Sequence, residues 1–377
     1  MKIAVKVIRI LENAGYEAYL VGGAVRDFLL GKQPDDFDVA TSASPEKVKG
    51  LFNRTVDTGI DHGTVLVLLD GSGIEVTTFR TDGLYSDKRR PDSVEFVQSL
   101  EEDLKRRDFT INAMAMAEDL NVIDPFGGRE DLEKRIIRAV DNADKRFQED
   151  ALRMLRAVRF SGQLDFWIDG ETLAAIQRQA HLIRSIAVER IKAELDKIFS
   201  NNHTARSMGY LEQSGLSANL PAGPLFSIDW SAYIATGDHL LGWSYMLYRQ
   251  GGKADNLLEY RFSNDEKRVI AKALEASRAE NWDAWTFYSF SARELNIASF
   301  LKEKKVDVES EKAKLPIQSK KELAATGNDL MQWSGDGQGP WLKGWISEME
   351  RQIVYGRLQN DKEQIKEWFS HEYHRHA

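Results

Sequence analysis

The chain has 377 residues, 42% of them hydrophobic and 29% charged, with a formal net charge of −8; this fits a soluble globular protein of two or more domains. No apolar run approaches the roughly 20 residues of a membrane span, and the lack of cysteine excludes disulfides and thiolate zinc sites. The N-terminus is amphipathic and charged throughout, unlike a signal peptide, so a cytoplasmic location is expected.

Residues 3–14 predict a helix that ends at Gly15. "EAYLVGG" predicts a short strand leading into a helix over "AVRDFLLG", stopped at Gly31. Gly22 and Gly23 at that junction permit close approach of backbone to a phosphate, the helix N-terminus adds partial positive charge, and Arg26 is placed to clamp a triphosphate. "DFDVAT" predicts a strand in which Asp36 and Asp38 face outward and Phe37 faces the core. Two co-facial carboxylates at a strand tip suit two Mg2+ ions, the equipment of nucleotidyl transfer, although an isolated D-x-D triplet is more often a solvated turn.

A helix follows, with Ser44 as N-cap and Pro45 at its first position. "GTVLVLL" and "IEVTTF" predict strands joined in a hairpin by Asp70-Gly71-Ser72-Gly73. Glu75 and Thr77 share one face of the second strand. Beside Asp36 and Asp38, that strand would bring Glu75 to the metals as a third carboxylate; otherwise Glu75 is a solvated strand residue. In "RRDFTINAMAM", Arg107 is a candidate phosphate or nucleotide ligand, and Asp108 reads as a helix cap. "DPFGGREDL" reads as a tight turn entering a helix.

From about residue 140 the pattern is helical. In "EDALRMLRAVRF" a single helix would carry Asp150, Arg153 and Arg156 as one polar stripe, with Leu152, Leu155 and Val158 on the other side. An Asp beside an Arg presents an acceptor next to a donor fork. Cytosine and adenine each offer an exocyclic amine next to a ring-nitrogen acceptor and match that pair. Uracil and guanine oppose it at both positions, at a cost of about 1–3 kcal/mol per mismatched group. Residues 205–310 are rich in Leu, Ala, Trp and Tyr at helical spacing and carry no chemical motif, and "GDGQGPW" precedes a helical tail.

The set "VGGAVRD", "DDFDVATS", "EVTTF", "RRDFTINAMAM", "DPFGGREDL" and "EDALRMLRAVRF", in this order and spacing, resembles the class II tRNA nucleotidyltransferases of the polymerase-beta-like superfamily. The tail from "LPIQSKKELAATGNDLMQW" onward resembles the bacillus-type CCA-adding enzymes. The resemblance implies a seahorse-like molecule with an α+β head, whose mixed sheet carries helices, followed by an all-α neck, body and tail. The head is expected over residues 1–140, the neck over 141–205, the body over 206–310 and the tail over 311–377. It also implies Asp36 and Asp38 as Mg2+ ligands with Glu75 as the third catalytic carboxylate. Gly23, Arg26 and Arg107 become nucleotide-binding, and Asp150 and Arg153 become the protein template for C and A, supported by Arg156 and Arg159.

The implied reaction adds C, C and A to the 3′ end of tRNA from CTP and ATP, with tRNA held by its acceptor and T-arm backbone. No obligate protein partner is evident. Residues 80–96 resemble the family's flexible loop, which favours full CCA addition. The alternatives are an A-adding-only enzyme or a bacterial poly(A) polymerase and, more remotely, a non-catalytic RNA-binding protein.

Overall fold

The computed structural model describes residues 1–34, 36–59, 63–82 and 94–376. They form two compact units: residues 1–239 with 259–261, and residues 240–258 with 262–377.

The first unit opens on α1 (Lys2–Asn13), whose Ala4, Val7, Ile8 and Leu11 recur at helical spacing and are all buried. Gly15, at φ +86°, lies just past its end. There follow β1 (Ala18–Val21), α2 (Gly23–Leu29), β2 (Asp38–Thr41), α3 (Pro45–Leu51), β3 (Thr55–Gly59), β4 (Thr64–Leu69) and β5 (Ser72–Thr78). Next come β6 (Arg80–Asp82), β7 (Val94–Phe96), α4 (Leu100–Lys105), β8 (Ala115–Met116), β9 (Val122–Ile123), α5 (Gly128–Lys134) and β10 (Ile136–Ile137). Seven of these strands form one mixed sheet in the order β3-β4-β5-β2-β1-β8-β9. Only β2 and β5 pair in parallel; the other neighbours are antiparallel. Val21, Ala40, Phe79, Leu100, Leu104 and Ala115 pack as one buried cluster against this sheet.

The β4–β5 hairpin turns on Asp70 and Gly71 alone, at φ +49° and +80°, with Ser72 and Gly73 already in β5. Positive φ at both central residues is what a two-residue hairpin turn demands. β6 and β7 pair antiparallel from Arg80 opposite Phe96. The rest of the loop expected over 80–96, including the basic run Lys88–Arg90, lies outside the described residues.

Beyond β10 come α6 (Ala143–Glu149), α7 (Leu152–Leu164), β11 (Trp167–Ile168), α8 (Gly170–Gln179), α9 (Val188–Phe199) and α10 (Thr204–Gln213). The purely helical reading from residue 140 missed β11, which pairs in parallel with β10. Two residues are too few for a periodicity to show.

The second unit is helical: α11 (His239–Arg249), α12 (Asn264–Arg278), α13 (Ala284–Ser289), α14 (Ala292–Leu301), α15 (Val308–Ala313), α16 (Gly327–Ser334), α17 (Pro340–Val354) and α18 (Lys362–His376). Reciprocal capping boxes start three of these helices, with Ser263 and Glu266, Ser291 and Glu294, and Thr326 and Asp329. Met349, Ile353, Ile365 and Phe369 are in its buried core, with Trp341, Trp345 and Trp368 packed around them. Among the described residues no helix is long and apolar enough to cross a membrane.

Candidate active site and nucleotide cleft

The carboxylates come from neighbouring strands. Parallel pairing sets Asp38, the first residue of β2, directly opposite Glu75 on β5. Glu75 is exposed while Ile74 and Val76 are buried, so alternation turns it to the open face. Asp36 lies in the approach to β2 rather than within it, and Phe37 is half-buried. The strand argument for a shared face therefore reaches only Asp38. The Asp38 carboxyl is raised above its usual range, first by loss of surrounding water and then by Glu75 and Asp36, against the pull of Arg107. Carboxylates, with oxygen as the only donor atom, are the ligand type a hard divalent cation takes. Asp38 and Glu75, paired in register, and Asp36 just before β2 offer donors of that type.

Gly22 links β1 to α2 at φ +70°, and a Cβ added there would sit 3.0 Å from Nη1 of Arg107. A Cβ on Gly23 would sit 3.5 Å from Nη2 of Arg26. The diglycine is therefore the bare floor beneath the two arginines expected to meet phosphate. α2 is only seven residues long, so these cations, rather than a helix dipole, supply the positive charge.

Internal carboxylates already engage these arginines. Arg26 is buried and donates to both oxygens of Asp27, at 2.9 and 3.0 Å, and to Oδ1 of Asn112 at 2.8 Å. Arg107 donates to Asp103 at 3.1 Å. Asn112 donates in turn to Oδ1 of Asp108 at 3.0 Å, and Arg156 donates to Oδ2 of Asp108 at 2.9 and 2.6 Å. A buried polar relay thus runs from Asp27 through Arg26, Asn112 and Asp108 to Arg156, joining α2 to α7. Asp108 does not cap a helix as expected; the short turn after it has Phe109 at its cap position. Burial pushes the Asp108 carboxyl up, but the adjacent Arg156 charge and the Asn112 hydrogen bond bring it down to about 2.

"EDALRMLRAVRF" is not one helix. α6 ends at Glu149 and α7 begins at Leu152. Asp150 sits between them in extended backbone, and its Oδ1 accepts the N–H of Leu152 at 3.0 Å. A short acceptor side chain taking a nearby N–H competes with helix continuation at that point. Asp150 also accepts from Arg190 on α9 at 2.8 Å. Arg153, Arg156 and Arg159 recur on α7 as read. Arg153 donates to Glu149 at 2.8 Å and to the Arg106 carbonyl at 2.9 Å, and Arg159 donates to Glu194 at 2.6 Å. The Phe160 ring has the guanidinium carbons of Arg159, Arg26 and Arg156 at 4.0, 5.3 and 5.3 Å from its centre.

One cleft of about 660 Å³ is lined by Gly23, Arg26, Asp36, Asp38, Arg107, Asp150, Arg153, Arg156 and Arg159 together. Glu75 is not among its lining residues and joins through its register with Asp38. Sequence reading missed Asn112, Phe160 and Arg190, which also line the cleft. A buried Asn inside the apolar run "FTINAMAM" was the available signal for the first, since a buried amide needs partners.

Residues 18–138 match the family model of the poly A polymerase head domain, residues 165–223 that of the "Probable RNA and SrmB- binding site of polymerase A", and residues 237–369 that of tRNA nucleotidyltransferase domain 2. The CCA-adding enzyme of Geobacillus thermodenitrificans is 43% identical over 97% of this chain and 95% of its own length. That of Bacillus cytotoxicus is 40% identical over 97% of both. The crystal structure of the Bacillus stearothermophilus CCA-adding enzyme in complex with CTP matches with a TM-score of 0.88 at 37% identity, covering 100% of this chain and 98% of that one. With a mixed-sheet head, a helical remainder and relatives of this identity along its whole length, the chain belongs to the class II tRNA nucleotidyltransferases, among the bacillus-type CCA-adding enzymes.

Proposed function

We propose that the first unit adds C, C and A to the 3′ end of tRNA from CTP and ATP without a nucleic-acid template. The observation that carries this is the single cleft in which a diglycine, two carboxylates and the arginines of α7 meet. Asp36, Asp38 and Glu75 would hold Mg2+. Bound there, two such ions supply activation of the tRNA 3′-hydroxyl and neutralisation of the pyrophosphate leaving group. Gly22 and Gly23 admit the triphosphate against bare backbone, and Arg26 and Arg107 offset its charge. Asp150 accepts from the exocyclic amine of C or A, Arg153 donates to the adjacent ring nitrogen, and Arg156 and Arg159 hold that pair in place. The arginines need only exchange an internal carboxylate for the ligand.

Residues 141–205 then act as the nucleotide-selecting neck, and 206–310 and 311–377 as a body and tail gripping the acceptor and T-arm backbone. The cations at Lys320, Lys321 and Lys343 support phosphate contacts there.

The test is a tRNA transcript ending at the discriminator base, incubated with labelled CTP alone, ATP alone, or both. Two C residues from CTP and a completed CCA from both are expected. Absence of CTP incorporation removes the CCA assignment in favour of A addition alone, and long A tails point to a poly(A) polymerase.

A further inference from the structure

Along β11 and the residue before it, alternation sends Phe166 and Ile168 into the core, 3% and 6% exposed, and leaves Trp167 61% exposed. Tryptophan is highly buried on average, so so open a ring at a strand position is unusual. It is also held. The Arg206 guanidinium carbon on α10 lies 4.2 Å from the indole centre, and Arg206 is fixed from behind by Asp165 at 2.9 Å. His203 reaches the same carboxylate at 3.6 Å. The Trp167 backbone N–H donates to the Arg135 carbonyl at 2.9 Å, which anchors the strand end. One face of the indole is backed by a clamped cation, and most of the ring stays open to solvent.

We propose that Trp167 is a preorganised stacking platform for an unpaired RNA base. A flat π surface accepts any base, and a guanidinium clamped against its back holds the ring in place for stacking. Its recorded contacts are Ile136 across the strand pair, the Arg135 carbonyl and the Arg206 guanidinium, which Asp165 holds in turn. The platform also falls within residues 165–223, the stretch that matches the family model of a probable RNA and SrmB-binding site. The identity of the RNA, a tRNA lacking its CCA end, rests on the function proposed above.

The test measures steady-state kinetics and nucleotide-free filter binding with that transcript, for the wild type and for Trp167→Ala, Trp167→Leu and Trp167→Phe in the full chain. Loss of one stacked base should raise the tRNA KM and Kd roughly tenfold in the Ala and Leu variants, with the CTP KM within about twofold and the Phe variant near wild type. An unchanged tRNA Kd in Trp167→Ala overturns the proposal. So does a Leu variant that binds as well as Phe, which would mean apolar contact without stacking. If the wild type incorporates no nucleotide, the proposed reaction fails, while the filter-binding arm still decides the platform.

Discussion

Asp108 is deeply buried, yet the Arg156 charge and Asn112 keep its carboxyl at about 2, below the ordinary value of 3.8 for an aspartate. A depressed folded value gives stability that is fully present above the unfolded value and lost as pH falls through the folded one. The shift amounts to about 2 kcal/mol. Asp108→Asn should therefore lose about that much relative to wild type at pH 7 in urea unfolding of the first unit, with the gap closing between about pH 4 and pH 2. A gap independent of pH would deny the ion pair this role. Asp150 predicts a different outcome. It shapes the α6–α7 junction and holds Arg190, and under the proposed template it reads the exocyclic amine. Asp150→Ala should keep Mg2+ binding but admit UTP, narrowing the CTP-over-UTP preference in kcat/KM by roughly tenfold or more. Unaltered preference would place base choice elsewhere.

Secondary-structure elements position these residues, and the β1–α2 junction is the most exacting of them. Gly22 needs a left-handed φ and leaves no slack under Arg107. Gly22→Ala should cost about 1–2 kcal/mol in backbone strain and raise the KM for both CTP and ATP by displacing Arg107, as measured by thermal unfolding and kinetics. Local signals made much of this region legible: Gly15 and Gly31 as stops, Ser44-Pro45 as a start, and the Asp70-Gly71 turn. Alternation showed which face Glu75 takes. The parallel pairing of β2 with β5 was not legible, because nothing local in either strand records its long-range partner. The α6–α7 break was hidden for a related reason. Every residue of "QEDALRML" tolerates a helix, so only the hydrogen bond from Leu152 to Asp150 marks the boundary. Arg26 was read as waiting for phosphate, whereas Asn112, 86 residues away, already engages it.

Over the whole chain the net charge is −8, while the expected substrate is a polyanion. Binding then depends on local cations, and log Kd for tRNA against log salt should slope by roughly 0.7–0.9 per phosphate contact. Replacing Lys320, Lys321 and Lys343 by Ala together should flatten that slope by roughly two units, and a slope unchanged by the triple replacement would remove the tail from the phosphate interface. The same charge arithmetic gives the relay from Asp27 to Arg156 a second meaning. Arg26, Arg153, Arg156 and Arg159 in the cleft are each supplied with an anion by the protein itself. Under the proposed function, an incoming nucleotide is therefore admitted by barter. It must return to each arginine as much as the displaced carboxylate gave, and a base or triphosphate that matches only partly leaves a charge stranded. Under the proposed function, these internal ion pairs would set an entry threshold against near-cognate nucleotides before any bond is made.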